Sequence, residues 1–223
     1  GEDNAKVSLH TYNLETRKLK KIALGSYEYI PRIQWSNTNP ILIATTLNRH
    51  QNDLKIHKVN ALKSSSSLLL NEKDDAYVSV KNDLTFLEDN SFIWTSEKDG
   101  YNHIYHYDKN GTLINQVTDG DWEVINYYGF DEKSNSIFYQ SVENGSINRD
   151  IYSINLNGKN KVRLSKSTGT NAATFSPNFQ FFINTYSSAT SAPAYTLNNS
   201  KTGAVIKTIV SNEAVETKLA KYE

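Results

Sequence analysis

Apolar and polar positions alternate in short runs along the chain, and turn-forming residues interrupt the runs at intervals of about eight to twelve positions. A period of two marks half-buried strands, and regular punctuation of this kind fits a β-sandwich, a barrel or a propeller. Self-similarity decides among the three. One hairpin pattern recurs five times: Val7 to Tyr12 with Lys18 to Leu24, Leu54 to Val59 with Leu68 to Leu70, Ile104 to Tyr107 with Leu113 to Thr118, Ile151 to Leu156 with Lys161 to Leu164, and Tyr195 to Leu197 with Val205 to Val210. Their first strands begin at 7, 54, 104, 151 and 195, a blade-length step. Between these hairpins lies a second pair of strands: Ile30 to Trp35 with Ile41 to Thr46, Tyr77 to Leu87 with Ser91 to Thr95, Trp122 to Phe130 with Ser136 to Gln140, and Ala172 to Phe175 with Gln180 to Thr185. Each period therefore holds the four antiparallel strands of one propeller blade.

The predicted fold is all-β, a partial β-propeller of about four four-stranded antiparallel blades preceded by a remnant hairpin. Its expected divisions are 1–25 for the partial blade, then 26–75, 76–120, 121–169 and 170–210. A short C-terminal helix follows, because Val215, Leu219 and Tyr222 fall on one helical face with no Gly or Pro between 211 and 222. It is predicted over 212–221, capped by Ser211 or Asn212, and 211–223 reads as a connector toward a further domain. Asn110-Gly111 and Asn157-Gly158 supply the positive φ of tight turns, and Asn144-Gly145 turns a longer loop. Ser64 to Ser67 reads as a flexible hairpin connection, and Lys18 to Lys21 as an edge strand kept soluble by its lysines. Part of a ring exposes blade faces that a whole ring covers, so self-association of those faces is expected.

Composition sharpens this picture. The 14 Tyr, 8 Phe and 3 Trp suit pleated, half-buried surfaces, while 26 Asn and 23 Ser suit turns. Lys and Arg number 24 against 24 Asp and Glu, so no long-range field gathers nucleic acid or an anionic membrane. No apolar run approaches the ~20 residues of a membrane-spanning helix. Without Cys there is neither a disulfide nor a thiolate metal site. Methionine is absent too, so Gly1 reads as a cleavage remnant in front of a segment of a longer protein.

Catalytic signatures are missing. No G-x-S-x-G elbow occurs, no Gly-rich phosphate loop is present, and the five histidines fall in no metal-binding pattern. His103 and His106 flank Ile104-Tyr105 on a strand and read as structural. Asp119, Asp121 and Glu123 would share one face of an extended backbone, which suits Ca²⁺, although a solvated loop entering a new blade makes the same pattern. No catalytic residue, metal or cofactor is expected in this chain.

Four motifs carry a resemblance. Trp94-Thr95-Ser96-Glu97-Lys98-Asp99-Gly100-Tyr101-Asn102-His103-Ile104-Tyr105-His106-Tyr107 resembles the blade motif of dipeptidyl peptidase IV-type enzymes of the prolyl oligopeptidase family. Val117-Thr118-Asp119-Gly120-Asp121-Trp122-Glu123-Val124, Asn148-Arg149-Asp150-Ile151-Tyr152 and Pro193-Ala194-Tyr195-Thr196-Leu197 are similar to family segments in the family's order. The resemblance covers most of 30–223 and implies the second half of an eight-bladed N-terminal propeller. In that family a C-terminal α/β-hydrolase domain carries Ser, Asp and His and removes dipeptides with Pro or Ala in the second position. An adjacent glutamate pair that holds the substrate amine belongs to an earlier blade, and no Glu-Glu occurs here.

The resemblance therefore implies a chain that is not itself an enzyme. It would gate and line the path of short peptides to the hydrolase domain, with that domain and the remaining blades as its partners. Innermost-strand residues line the path, which points to Tyr77 and Trp122, although ordinary packing competes as a reading for Tyr77. Export to the periplasm or cell surface is implied as well. Two rivals stand beside this reading: a stand-alone propeller serving as a protein-interaction module, and a glycan-active propeller.

Overall fold

The computed structural model describes residues 4–221. Among them are eighteen strands and one short helix. β1 (His10–Asn13) and β2 (Lys18–Lys21) form a hairpin. β3 (Tyr29–Trp35), β4 (Ile41–Leu47), β5 (Asp53–Asn60) and β6 (Ser65–Lys73) make the second sheet; β7 (Thr85–Phe86), β8 (Phe92–Ser96), β9 (His103–Tyr107) and β10 (Leu113–Gln116) the third. β11 (Val124–Asp131), β12 (Ser136–Ser141), β13 (Asp150–Asn155) and β14 (Val162–Arg163) make the fourth; β15 (Thr170–Phe175), β16 (Phe181–Ser188), β17 (Ser191–Asn199) and β18 (Val205–Val210) the fifth, before α1 (Glu213–Leu219). Within each sheet the strands lie side by side in chain order. The all-β plan of four four-stranded sheets, a leading hairpin and a terminal helix is the one the sequence predicts.

In the second, third and fourth sheets the two middle strands are the most buried ones. Every residue of β8 and β9 is buried, as are five of the six in β12 and in β13, whereas every residue of β18 is exposed. A strand covered on both faces needs no alternation, which is why Phe92-Ile93-Trp94 runs apolar without a break.

The chain divides into two compact units, Gly1–Ile93 with Tyr107–Leu113, and Trp94–His106 with Ile114–Glu223. In the first unit, Leu9, Ile22 and Leu24 from the hairpin segment pack on Leu42, Ala44 and Val59 of the second sheet. In the second unit, Phe138, Ile151 and Leu164 meet Phe182 across the fourth and fifth sheets, with Phe175 and Phe179 against them.

A single device recurs in the turns between the third and fourth strands of successive sheets. Gly111, Gly158 and Gly203 all have positive φ (87°, 76° and 70°), and each N–H closes its turn on the carbonyl of Asp108, Asn155 or Asn199. Each lies against a carbonyl of the preceding sheet's outer segment. A Cβ at Gly111 would sit 1.8 Å from Leu69 O, at Gly203 2.1 Å from Leu164 O and at Gly158 3.1 Å from Val117 O. Leu69 is the extra residue of a bulge, since Ile56 pairs with Leu70 and His57 with Leu68. Its position outside the ladder register turns that carbonyl toward the glycine.

Three expectations need correction. The strand predicted over Tyr77 to Leu87 is only Thr85–Phe86, because side chains take over the work of a ladder in this segment. The Asp74 carboxylate accepts the N–H groups of Ala76 and Tyr77, Val78 donates to Gln51 O, and Gln34 Nε2 donates to Leu84 O. Ser65 to Ser67 are not a loop but the start of β6, paired with Asn60, Val59 and Lys58. The helix is shorter than expected, and Asn212 does not cap it by its side chain. Asn212 is left-handed at φ 58°, and its amide donates instead to Pro193 O on β17. Tyr222 and the Leu219 side chain lie outside the described residues.

Candidate functional site

The segment between β10 and β11 holds the residues with the richest chemistry, and hydrogen bonds fix it against β9. Thr118 Oγ1 accepts from the Ile104 N–H at 3.0 Å and lies 3.0 Å from His103 Nδ1. His103 Nε2 lies 3.0 Å from the Gly120 carbonyl. A carbonyl can only accept, so the Nε2–H donates to Gly120. Both ring nitrogens are thus committed to the fold.

The Trp122 ring meets the His103 imidazole edge-on, with centroids 4.9 Å apart at 84°. Gly120 makes this possible, since a Cβ there would lie 2.3 Å from Trp122 Nε1. On its other side Trp122 is parallel to Tyr139 at 6.4 Å, and Tyr139 to Tyr152 at 5.5 Å. The Lys161 ammonium lies 5.5 Å from the Trp122 ring centroid and 5.8 Å from that of Tyr152, and pairs with Glu143. Tyr139 and Ser141 also donate to Glu143. Burial, reinforced by the Glu143 charge, pushes the Tyr139 and Tyr152 phenols well above their ordinary range. These phenols are therefore proton donors and not bases at neutral pH.

Asp150 is the most buried carboxylate of the fourth sheet, its side chain 1% exposed. It accepts from Ser165 Oγ at 2.7 Å, from Arg163 at 2.8 Å and from Asn144 Nδ2 at 3.2 Å. Sequence reasoning quoted Asp150 within a motif without assigning it this role. The signal was present: His103 and Thr118 stand one 47-residue period before Asp150 and Ser165 (103 to 150, 118 to 165), and both pairs tie the start of a third strand to the end of a fourth.

The two residues expected to line a peptide path stand in different settings. Tyr77 is 52% exposed in the side-chain-braced segment after β6, while Trp122 is half-buried within the ring stack. Asp119, Asp121 and Glu123 are exposed, and among the described residues no group of three His, Asp or Glu is disposed to hold a metal. No described helix is long and apolar enough to cross a membrane.

Residues 1–193 match the family described as the dipeptidyl peptidase IV (DPP IV) N-terminal region. The chain belongs to this family. The crystal structure of Porphyromonas gingivalis dipeptidyl peptidase 4 matches it at a TM-score of 0.88 and 38% identity, over 95% of this chain and 30% of that one. A putative dipeptidyl aminopeptidase IV from Bacteroides ovatus shares the fold at a TM-score of 0.76 and 24% identity, over 90% of this chain and 32% of that one. In sequence, the probable dipeptidyl peptidase 4 of Arthroderma benhamiae is 26% identical over 234 residues, which take in 99% of this chain and 30% of that protein. The chain thus spans under a third of the length of these relatives. Its four-stranded sheets are blades of the DPP IV N-terminal propeller, as the four motifs imply.

Proposed function

We propose that the chain is the non-catalytic β-propeller portion of a DPP IV-like serine exopeptidase, gating and lining the access of short peptides to an active site on a separate α/β-hydrolase domain. The observation that carries this reading is the family match over residues 1–193, in a chain that spans under a third of its relatives. In this reading Tyr77 offers an exposed ring to the extended substrate, and Trp122 lines the same path at the head of β11. The longer protein works in the periplasm or at the cell surface on short peptides. The fifth sheet shows Ile183, Tyr195 and Val210 at 39%, 37% and 41% exposure; further blades cover this face in the longer protein, and in the chain by itself the face self-associates.

The test has two arms. The 223-residue chain alone is expected to leave a Gly-Pro chromogenic substrate intact, whereas the complete peptidase turns it over. In the complete peptidase, Tyr77→Ala is expected to raise KM about tenfold at little change in kcat, the mark of lost ground-state binding. Turnover by the chain alone, or an unchanged KM in the variant, refutes the corresponding part of the proposal.

A further inference from the structure

A groove of about 690 Å³ opens between the fourth and fifth sheets at the end where their hairpins turn. That volume lies within the roughly 300–1,000 Å³ of small-molecule sites. Neither the ring stack at Trp122 nor Tyr77 contributes to it.

Its floor is aromatic by an unusual substitution of turn chemistry. The N–H groups of Asn90, Asn135 and Phe179 each close a turn between the first two strands of a sheet, on the carbonyls of Leu87, Glu132 and Ser176. All three residues have positive φ, at 67°, 51° and 50°. Asn tolerates that conformation well and a bulky aromatic does not. The Phe179 ring is held by a parallel stack on Phe138 at 5.2 Å and 4°, and by Gly129, where a Cβ would sit 2.6 Å from Phe179 Cζ. The fold therefore supports an expensive residue where its own turns elsewhere use Asn. The outcome is a half-buried flat ring in the groove wall.

The rest of the lining is mixed: Phe138, Phe181 and Val162 add apolar surface, and amides and hydroxyls stand among them. Ser153, Asn155, Gln180 and Ser200 contribute, and the two charged residues present, Asp131 and Lys201, are of opposite sign. No net charge draws a phosphate or an ammonium ion. Ser200 is only 2% exposed, yet its Oγ has no hydrogen-bond partner. A buried hydroxyl left unpaired is costly, and a ligand hydroxyl reaching it would remove the cost. A peptide is the poorer fit, since the groove crosses turn residues and strand ends, and the edge strand that reaches it, β14, is only two residues long.

We propose that this groove binds a short neutral oligosaccharide, one sugar face lying on the Phe179 ring and its hydroxyls bonding to Asn155, Gln180 and Ser200. Sugar hydroxyls both donate and accept, which matches amide and hydroxyl side chains group for group. The apolar face of a pyranose covers a flat ring with little loss of hydration. The inference is independent of the peptidase reading.

The test is titration of the 223-residue chain with maltotriose, cellotriose and triacetylchitotriose to about 10 mM, followed by NMR or calorimetry. At least one is expected to saturate. Phe179→Asn restores the turn residue used at 90 and 135 and is expected to weaken that binding about five- to tenfold, the loss of one ring contact. Ser200→Ala is expected to weaken binding while leaving the melting temperature unchanged or higher, since it removes an unpaired buried hydroxyl. The proposal is overturned if none of the three sugars saturates, if both variants bind as the parent does, or if a short Ala-Pro peptide occupies the groove and the sugars do not.

Discussion

Gly111→Ala and Gly25→Ala form a matched pair that isolates how one sheet seats on the next. The two glycines have nearly the same backbone, φ 87° and 79°, so an added methyl meets the same conformational penalty at each, about 1–2 kcal/mol. Their surroundings differ. Nothing lies within 4 Å of a Cβ at Gly25, whereas one at Gly111 would lie 1.8 Å from Leu69 O and 2.9 Å from the carbon of that carbonyl. To reach even a tight 3.0 Å contact, backbone must move about 1.2 Å against backbone. Forced overpacking of this kind adds about 1–3 kcal/mol. Gly111→Ala is therefore expected to destabilise by about 2–5 kcal/mol and Gly25→Ala by about 1–2, read as urea midpoints at unchanged m. For a chain of this size each kcal/mol lowers Tm by about 2–4 °C. Equal destabilisation of the two variants, within about 0.5 kcal/mol, would refute the seating argument.

Other perturbations probe other parts of the fold. Asp150→Ala leaves Arg163, Ser165 and Asn144 without their shared acceptor and should cost about 3–5 kcal/mol, while Asp150→Asn, which keeps an oxygen facing Ser165, should cost less; thermal melts of the two decide this. His57 is buried against Thr46 at 2.9 Å, and burial, with Lys55 nearby, holds its pKa below the ordinary 6.5. The unfolded chain then binds more protons, so the stability linked to His57 is whole above pH 6.5 and declines as pH falls through the depressed value. Urea midpoints between pH 7.5 and 5 should fall less steeply in His57→Gln than in the parent, and parallel curves would contradict the assignment. Ile183→Lys should shift the chain toward monomer in sedimentation at fixed concentration, with its melting temperature unchanged.

The pattern of strands was legible because it repeats. Wherever a segment pairs through its own backbone, as in β4, β5, β12 and β13, alternation or a short apolar run located it to within a residue or two. The reading failed where a side chain replaced the ladder. Alternation over Tyr77 to Leu87 looks strand-like, yet the Asp74 carboxylate and the Gln34 amide satisfy that backbone from outside the segment. Likewise Ser65 to Ser67 have turn composition but are carried into β6 by the partners facing them. Propensity is a weak guide at positions where tertiary contacts decide. The family was legible in four motifs and the Asp150 cluster in its 47-residue echo of His103 and Thr118, whereas the Phe179 groove depends on residues far apart in sequence and emerges only once the fourth and fifth sheets are stacked.

The glycine-turn seats also bear on how the chain yields under load. Each joins a sheet to the one before it in sequence, so tension applied at the two ends passes through these junctions in series, as in repeat arrays with nearest-neighbour coupling. A stretched molecule would then surrender one blade at a time, lengthening by about 150 Å for each 47-residue period released.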